Sequence, residues 1–251
     1  MTDFRPGGFQ MLPPVIKNIL IINVMVFAIQ WFTVRQGNPV MSNLFALHTY
    51  QSPLFKPWQF ISYMFLHDTS SIWHLAFNML ALWVFGATLE DMWGPRRFAL
   101  FYLACGLGAA FCHMLVLYFE NNIMINEFNI LQSANGDMNQ YYYFMKHYGV
   151  TESPGESLAI RLNTPTIGAS GAVFGCLAAF GYLFPNRYLM VYFFIPLKVK
   201  WLVLIYIGSE LLATARASAG DNVAHIAHLG GALVGFLLVY YWNKTNRRTF
   251  Y

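Results

Sequence analysis

Six apolar segments, separated by polar ones, set the pattern of this chain. They lie at about 15–34, 72–90, 97–119, 167–184, 200–215 and 223–242. Most approach the roughly 20 residues that a helix needs to cross a bilayer. A lipid-facing segment must be a helix or part of a closed barrel, and long continuous apolar runs favour helices. The pattern therefore predicts an all-α polytopic membrane protein with six transmembrane helices in one compact unit.

The composition agrees with a membrane protein. Hydrophobic residues make up 57% of the chain and charged residues only 10%, whereas soluble domains have about 25% charged residues. Cys105, Cys112 and Cys176 all lie in apolar segments, so we expect buried thiols rather than disulfides. The net charge of +4 indicates no nucleic-acid partner, because an uneven division of charge between the loops accounts for it.

Basic residues predict the orientation. One set of loops holds five of the 15 Lys and Arg residues and the other set holds the remaining ten; the five are Arg35, Lys56, Lys146, Arg161 and Arg216. Cytoplasmic loops carry the excess of positive charge, so both ends, 1–14 and 243–251, are predicted to be cytoplasmic tails of a membrane domain at 15–242. The second, fourth and sixth helices then all run from the outside inwards.

Three connecting stretches are unusual. Residues 120–165 form a long outer insertion without evident structure, interpreted either as a lineage-specific addition or as a surface that contacts substrate. Residues 187–201 are apolar, break at Pro196 and turn basic, which predicts a re-entrant or interfacial segment on the cytoplasmic side. Small residues at 213–222 fit a mobile gate.

Four polar side chains inside the predicted spans share one depth. Ser170, His228, His74 and Asn78 all fall within roughly 10 Å of the outer ends of their helices, at about 1.5 Å per residue. Polar groups in spans are costly and are therefore functional candidates. Each has a structural interpretation as well, as a small packing residue or as a polar contact between helices. Their coincidence on helices of one direction favours a common site.

This set of side chains suits acyl transfer. A serine hydroxyl becomes nucleophilic when a base takes its proton, and histidine is the usual base. His74, Asn78 and the backbone N–H of Ser170, in the first turn of its helix, can stabilise an oxyanion. Glu210 is the only acidic residue well inside a span and does not match this depth, so we predict a Ser-His dyad of Ser170 and His228 rather than a triad.

Glycines predict how the helices meet. Gly171 and Gly175 form one GxxxG pair, and Gly231 and Gly235 form another. Small residues at this spacing let two membrane helices touch closely. His228 lies on the same helical face as the second pair, so the predicted packing contact also brings the histidine towards the serine helix.

Other chemistries fit less well. The stretch GASGA has Ala172 where a G-x-S-x-G elbow needs glycine. His225 and His228 lack the carboxylate and the spacing of a zinc protease, so we predict no metal and no cofactor. His225 either contacts the dyad or lines a water-filled mouth, and we favour the second interpretation. A transporter would have inverted repeats and a midplane site, whereas no repeat is evident and the polar residues lie near one surface.

Four stretches resemble the rhomboid family of intramembrane serine proteases. In chain order they are HLAFNMLAL (74–82), LEDMWGPRRFALFYLACGLG (89–108), GASGAVFG (168–175) and AHLGGALVGF (227–236). The resemblance runs from about Trp58 to Tyr240. It implies a six-helix bundle whose short central fourth helix begins near the serine, with Ser170 as the nucleophile and His228 as the general base.

The resemblance implies further roles. His74 and Asn78 match the family's H-x-x-x-N, which assists the oxyanion. Phe174 occupies the position that stacks on the catalytic histidine, and Gly168 matches the glycine of G-x-S-G. Residues 36–71 depart from the family, because they lack the Trp-Arg pair that many members carry in the first outer loop.

The resemblance also implies partners and a location. Family substrates are single-span membrane proteins cut near the outer face of the bilayer, so we expect such proteins and membrane lipids as partners, in a bacterial inner membrane. The alternative is an inactive relative that binds client transmembrane helices. Such a relative would typically lack the serine or the histidine, and both are present here.

Overall fold

The computed structural model describes residues 12–133, 137–191, 195–216 and 222–245, and the six apolar segments are helical in it. The helices are α1 (Pro14–Arg35), α2 (Val40–Phe45), α3 (Gln59–Ser62), α4 (Ile72–Ala81), α5 (Ala87–Trp93), α6 (Pro95–Ser133), α7 (Met138–Tyr148), α8 (Pro154–Asn163), α9 (Ser170–Leu183), α10 (Val199–Arg216) and α11 (Asn222–Thr245). A π-helical segment, Leu82–Gly86, joins α4 to α5. The prediction of a helical membrane protein is confirmed.

Within the described ranges, four helical stretches are long and apolar enough to cross a membrane. They are Pro14–Arg35, Ile72–Trp93, Pro95–Ser133 and His225–Thr245. Helix α9 is apolar but shorter, and α10 carries Lys200, Glu210 and Arg216 within its length. Length and composition therefore support four spans, and the predicted number of six stays a prediction.

Helix α1 is anchored at its start by α5. The Glu90 carboxylate accepts the backbone N–H groups of Val15 and Ile16, each at 2.8 Å. The first N–H groups of a helix have no partners within it, and α1 has no side-chain cap of its own. A carboxylate also suits the positive end of the helix dipole. The buried Glu90 thus joins α1 to the helical stretch Ile72–Trp93.

The core of the molecule lies around α9, which packs against both α6 and α11. A Cβ atom placed on Gly231 would lie 1.9 Å from the carbonyl oxygen of Gly171, and one on Gly235 would lie 2.5 Å from that of Gly175. The two glycine pairs therefore face each other with backbone against backbone. No side chain fits between α9 and α11 at these two levels.

Residues 120–165 are largely helical, so the expectation of a connection without evident structure is wrong. Helix α6 continues to Ser133, and α7 and α8 follow it. Arg161 of α8 pairs with Glu120 at 2.5 Å and donates to Asn121 Oδ1 at 3.0 Å. Helix α8 begins with a capping box between Ser153 and Glu156, a local start signal that a search for apolar runs overlooks.

Residues 187–201 contain a β-ribbon that the sequence did not predict. Strands β1 (Tyr188–Val191) and β2 (Ile195–Lys198) pair antiparallel, and Pro196 lies opposite Met190. Apolar and β-branched residues around a proline can occupy a short edge ribbon as well as an interfacial turn. Residues 1–11, 217–221 and 246–251, which hold much of the predicted tails and gate, lie outside the described residues.

Replacing Gly231 with alanine should weaken the contact between α9 and α11, because the new Cβ would meet the Gly171 backbone. Overpacking costs about 1–3 kcal/mol, so the Tm of the purified protein in detergent should fall by roughly 2–12 °C. Gly208→Ala on α10 is the control, since nothing lies within 4 Å of its Cβ position. An unchanged Tm for Gly231→Ala would contradict the close backbone contact.

Candidate active site

Ser170 is the first residue of α9, and the backbone before it is held in place. Leu47 and Thr166 exchange two backbone hydrogen bonds, at 2.9 and 2.8 Å. The residue before the helix, Ala169, provides no side-chain cap. The N–H groups of the first helical turn have no partners within the helix, so they can donate to an oxygen that binds beside Ser170.

The Ser170 hydroxyl and the His228 ring are in hydrogen-bond contact. Ser170 Oγ lies 2.8 Å from His228 Nε2, although 58 residues separate them along the chain. His228 lies on α11, three residues before Gly231. The close approach of α9 and α11 thus brings together the two residues predicted as nucleophile and base.

Phe174 fixes the plane of the His228 ring. The two rings are stacked, with centroids 4.4 Å apart and an interplanar angle of 3°. Phe174 lies one helical turn after Ser170, so α9 presents the hydroxyl and the aromatic ring to the same imidazole. Tyr206 of α10 packs edge-on against Phe174, at 6.2 Å.

A carboxylate also contacts His228, so the expectation that no acidic residue matches the depth of the site is wrong. Glu210 Oε1 lies 3.1 Å from His228 Nδ1, and Glu210 Oε2 lies 2.6 Å from His225 Nδ1. Glu210 precedes the end of α10 at Arg216 by six residues, or about 9 Å. In the predicted topology α10 runs opposite to α9 and α11, so its C-terminal end is the outer one. Counting residues back from that end gives Glu210 the same depth as the other site residues.

Glu210 also determines which nitrogen of His228 carries a hydrogen. An ionised carboxylate only accepts hydrogen bonds, so Nδ1 of His228 must donate to it. In a neutral ring the lone pair is then on Nε2, which faces Ser170 Oγ. This is the tautomer that can take a proton from the serine. His225 is linked to His228 through the same carboxylate rather than merely lining the mouth of the site.

His74 lies beside Gly168, two residues before Ser170. Its Nδ1 accepts the backbone N–H of Asp68 at 3.3 Å, which leaves the ring hydrogen of a neutral imidazole on Nε2. The Nε2 atom lies 3.4 Å from the Cβ position of Gly168, and Ser170 Oγ lies 3.5 Å from that same point. His74 Nε2 and the serine hydroxyl thus both border the Gly168 position.

Asn78 is buried one turn further along α4. Its Nδ2 donates to the carbonyl oxygen of His74 at 3.0 Å, and an amide nitrogen has a second hydrogen to donate. The hydrogen bond of Asn78 is therefore with the backbone of His74 and not with its ring. The structure places Asn78 beside the site without a described contact to Ser170.

His67 and Asp68, in the loop that precedes α4, complete the surroundings of His74. His67 packs edge-on against its ring, with centroids 5.2 Å apart. Burial, and secondarily the proximity of His74, lower the pKa of His67 to about 4. His67 is therefore neutral near pH 7. Hydrogen bonds from Ser70 lower the pKa of Asp68, so the one charge beside His74 on this loop is negative.

Gly168 has a backbone conformation that explains its residue type. Its φ is +129°, a region that residues with a side chain rarely adopt. Its N–H donates to the Tyr63 carbonyl oxygen at 3.0 Å, and a Cβ would lie 3.4 Å from the His74 ring. Gly168 thus lets the chain pass close to His74 before it turns into α9.

Comparison with known proteins identifies the family. The family model described as the Rhomboid domain matches residues 54–244, which is more than half of the chain. The chain belongs to the rhomboid family. Its helical architecture and several apolar helices make it an integral membrane protein of that family.

Named relatives are 27–28% identical to this rhomboid chain over the residues that align. Rhomboid protease AarA of Providencia stuartii is 28% identical over 88% of the chain and 69% of its own length. Rhomboid protease GluP of Bacillus subtilis is 28% identical over 71% of the chain but 25% of its own length. Rhomboid protein 1, mitochondrial, of Saccharomyces cerevisiae is 27% identical over 68% of the chain and 38% of its own length.

The relatives also bear on the expected location. The chain spans less than two thirds of the length of several relatives, including the yeast protein and GluP.

The relatives include mitochondrial and chloroplastic proteins as well as proteins from bacteria. The matches therefore support a membrane location but do not support the bacterial inner membrane in particular.

Replacing Gly168 with alanine should slow the reaction of Ser170 with a fluorophosphonate probe. The new side chain would be strained at this φ, and relief of that strain would move the backbone that leads into Ser170 and lies against the His74 ring. A displacement of about 1 Å in a reacting group can cost up to about a hundredfold in rate. Gly149→Ala is the matched control, because Gly149 also has a positive φ but has nothing within 4 Å. Equal labelling rates for both variants and the wild type would contradict this role of Gly168.

Proposed function

We propose that this rhomboid chain is an intramembrane serine endopeptidase in which Ser170 is the nucleophile and His228 is the general base. The observation that carries the proposal is the 2.8 Å contact between Ser170 Oγ and His228 Nε2. The names of GluP and AarA, both rhomboid proteases, support it. The side chain of His228 is 21% exposed, so water can reach the pair.

The reaction begins when Ser170 Oγ attacks a substrate carbonyl carbon and His228 Nε2 takes the hydroxyl proton. The resulting imidazolium is stabilised by Glu210, whose carboxylate accepts the Nδ1–H. His228 returns the proton to the leaving amine. Water then attacks the acyl-enzyme with His228 again as the base, which regenerates the serine.

Two sets of donors would stabilise the oxyanion. The N–H groups at the start of α9 point out of the helix beside Ser170. His74 would present its Nε2–H next to Gly168, and Asn78 donates to the backbone carbonyl of His74. Donors that are already in place before the charge develops contribute most to the rate.

The proposed substrates are single-span membrane proteins, cut near the outer face of the bilayer. The site lies at the start of α9, whereas the glycine contacts close the region further along this helix. A helical substrate hides its backbone amides, so a segment that unwinds easily is favoured. Membrane lipids surround the exposed apolar side chains of α1, α4 and α6.

Ser170→Ala and His228→Ala should each reduce cleavage of a single-span test substrate by at least about a thousandfold. The assay is the release of product in proteoliposomes, together with fluorophosphonate labelling of the wild type. Both variants should keep the Tm of the wild type within a few degrees. Continued cleavage by Ser170→Ala would overturn the proposal. A wild type that binds the substrate but neither labels nor cleaves would favour the alternative, a relative that binds client helices.

Glu210→Gln should lower kcat by about tenfold to a thousandfold, because an amide can donate to His228 Nδ1 and shift the lone pair away from Ser170. The partly exposed position of Glu210 places the expected loss below that of a fully buried triad carboxylate. Glu210→Asp retains the acceptor and should recover part of the activity. Steady-state kinetics in detergent measure both variants. Equal kcat for Glu210→Gln and the wild type would exclude a role in positioning His228.

A further inference from the structure

Three side chains able to bind a metal meet beside Ser170. One candidate ligand atom from each of Glu210, His225 and His228 lies within 4.8 Å of the other two. Both histidines turn Nδ1 towards the same carboxylate. The proposed reaction uses His228 and Glu210 but leaves His225 without a role, so the cluster is larger than the catalysis requires.

The donor set fits a zinc-like divalent cation. Two imidazoles and one carboxylate are a common set of three protein ligands for Zn²⁺, which takes water as a fourth ligand. With bonds of about 2.0–2.1 Å, neighbouring ligands of a tetrahedral Zn²⁺ lie roughly 3.3 Å apart. The contacts of Glu210 with the two histidines, 2.6 and 3.1 Å, are already close to this spacing.

The cluster is also accessible. The side chains of His225, His228 and Glu210 are 28%, 21% and 12% exposed. An ion and a water ligand can therefore enter without unfolding a helix. His225 and His228 are three residues apart on α11, so they project from one face of a helix, and Glu210 approaches that face from α10.

We propose that Glu210, His225 and His228 form a binding site for Zn²⁺ and that occupancy of this site inhibits the enzyme. The inhibition rests on the proposed protease function, whereas the metal site does not. When Nδ1 of a neutral imidazole binds a metal, the remaining ring hydrogen is on Nε2. The Nε2 atom of His228 would then donate to Ser170 Oγ and could not accept its proton.

Metal and carboxylate thus have opposite effects on the same ring. With Glu210 as the partner, Nδ1 carries the hydrogen and Nε2 is a base. With Zn²⁺ as the partner, the base is lost although Ser170, His228 and Phe174 keep their positions. The two states differ in the bonding of one nitrogen rather than in the fold.

Binding is tested first, on the full chain in detergent. Zinc uptake is measured by competition with a chromophoric chelator for the wild type, Ser170→Ala, His225→Gln and His147→Gln. His147 is an exposed histidine of α7 outside the cluster, so its variant is the matched control. We expect the wild type, Ser170→Ala and His147→Gln to bind one Zn²⁺ at the site, and His225→Gln to bind at least about tenfold more weakly. Equal affinity in His225→Gln would overturn the site.

Inhibition is tested with the same proteins. Zinc chloride should slow substrate cleavage by the wild type more than tenfold at saturation, and a chelator should restore the rate. Relative to its own rate without zinc, His225→Gln should require at least about tenfold more zinc for half inhibition. Tight binding without any loss of activity would overturn the inhibitory role. Because Ser170→Ala reports binding without catalysis, a failure of the protease proposal does not affect the binding test.

Discussion

The contact between α9 and α11 is the constraint on which the rest of the site depends. Gly171 and Gly231 meet through backbone atoms, and a single methyl group at Gly231 would overlap a carbonyl oxygen. Ser170 directly precedes one of these glycines, and His228 lies three residues before the other. The distance between hydroxyl and imidazole is therefore set by how closely two helices can approach, and only glycine permits this approach.

The surroundings of Ser170 are held from elements outside this helix pair. The Leu47–Thr166 bridge and the positive φ of Gly168 direct the chain into α9. His74 is held by the backbone of Asp68 and lies against Gly168. Ser170, the proposed nucleophile, thus contacts His228 of α11, while His74 of α4 borders the Gly168 turn that leads into α9. Such preorganised surroundings are what transition-state stabilisation requires.

Much of the architecture and several site residues could be predicted from the sequence, because they lie in long apolar runs or in short motifs with fixed helical spacing. The helices within 120–165 escaped prediction because their signals are caps and polar pairs, such as Ser153 with Glu156, rather than apolar runs. The β-ribbon escaped because its strands are only four residues each. Glu210 escaped for a different reason. The depth of Glu210 in the membrane depends on the direction in which α10 runs. Glu210 matches the depth of His228 only when residues are counted from the outer, C-terminal end of α10.

The position of Glu210 between two histidines distinguishes this site from a simple dyad and from a dedicated triad. Its contact with His225 is shorter than that with His228, 2.6 against 3.1 Å. A carboxylate that divides its hydrogen bonds between two rings orients each of them less strongly than one reserved for a single ring. The stacking of Phe174 on His228 then supplies part of the orientation that Glu210 does not. His228, the proposed base, is consequently held by an aromatic face and a shared carboxylate, and which of its nitrogens can accept a proton depends on what occupies Nδ1.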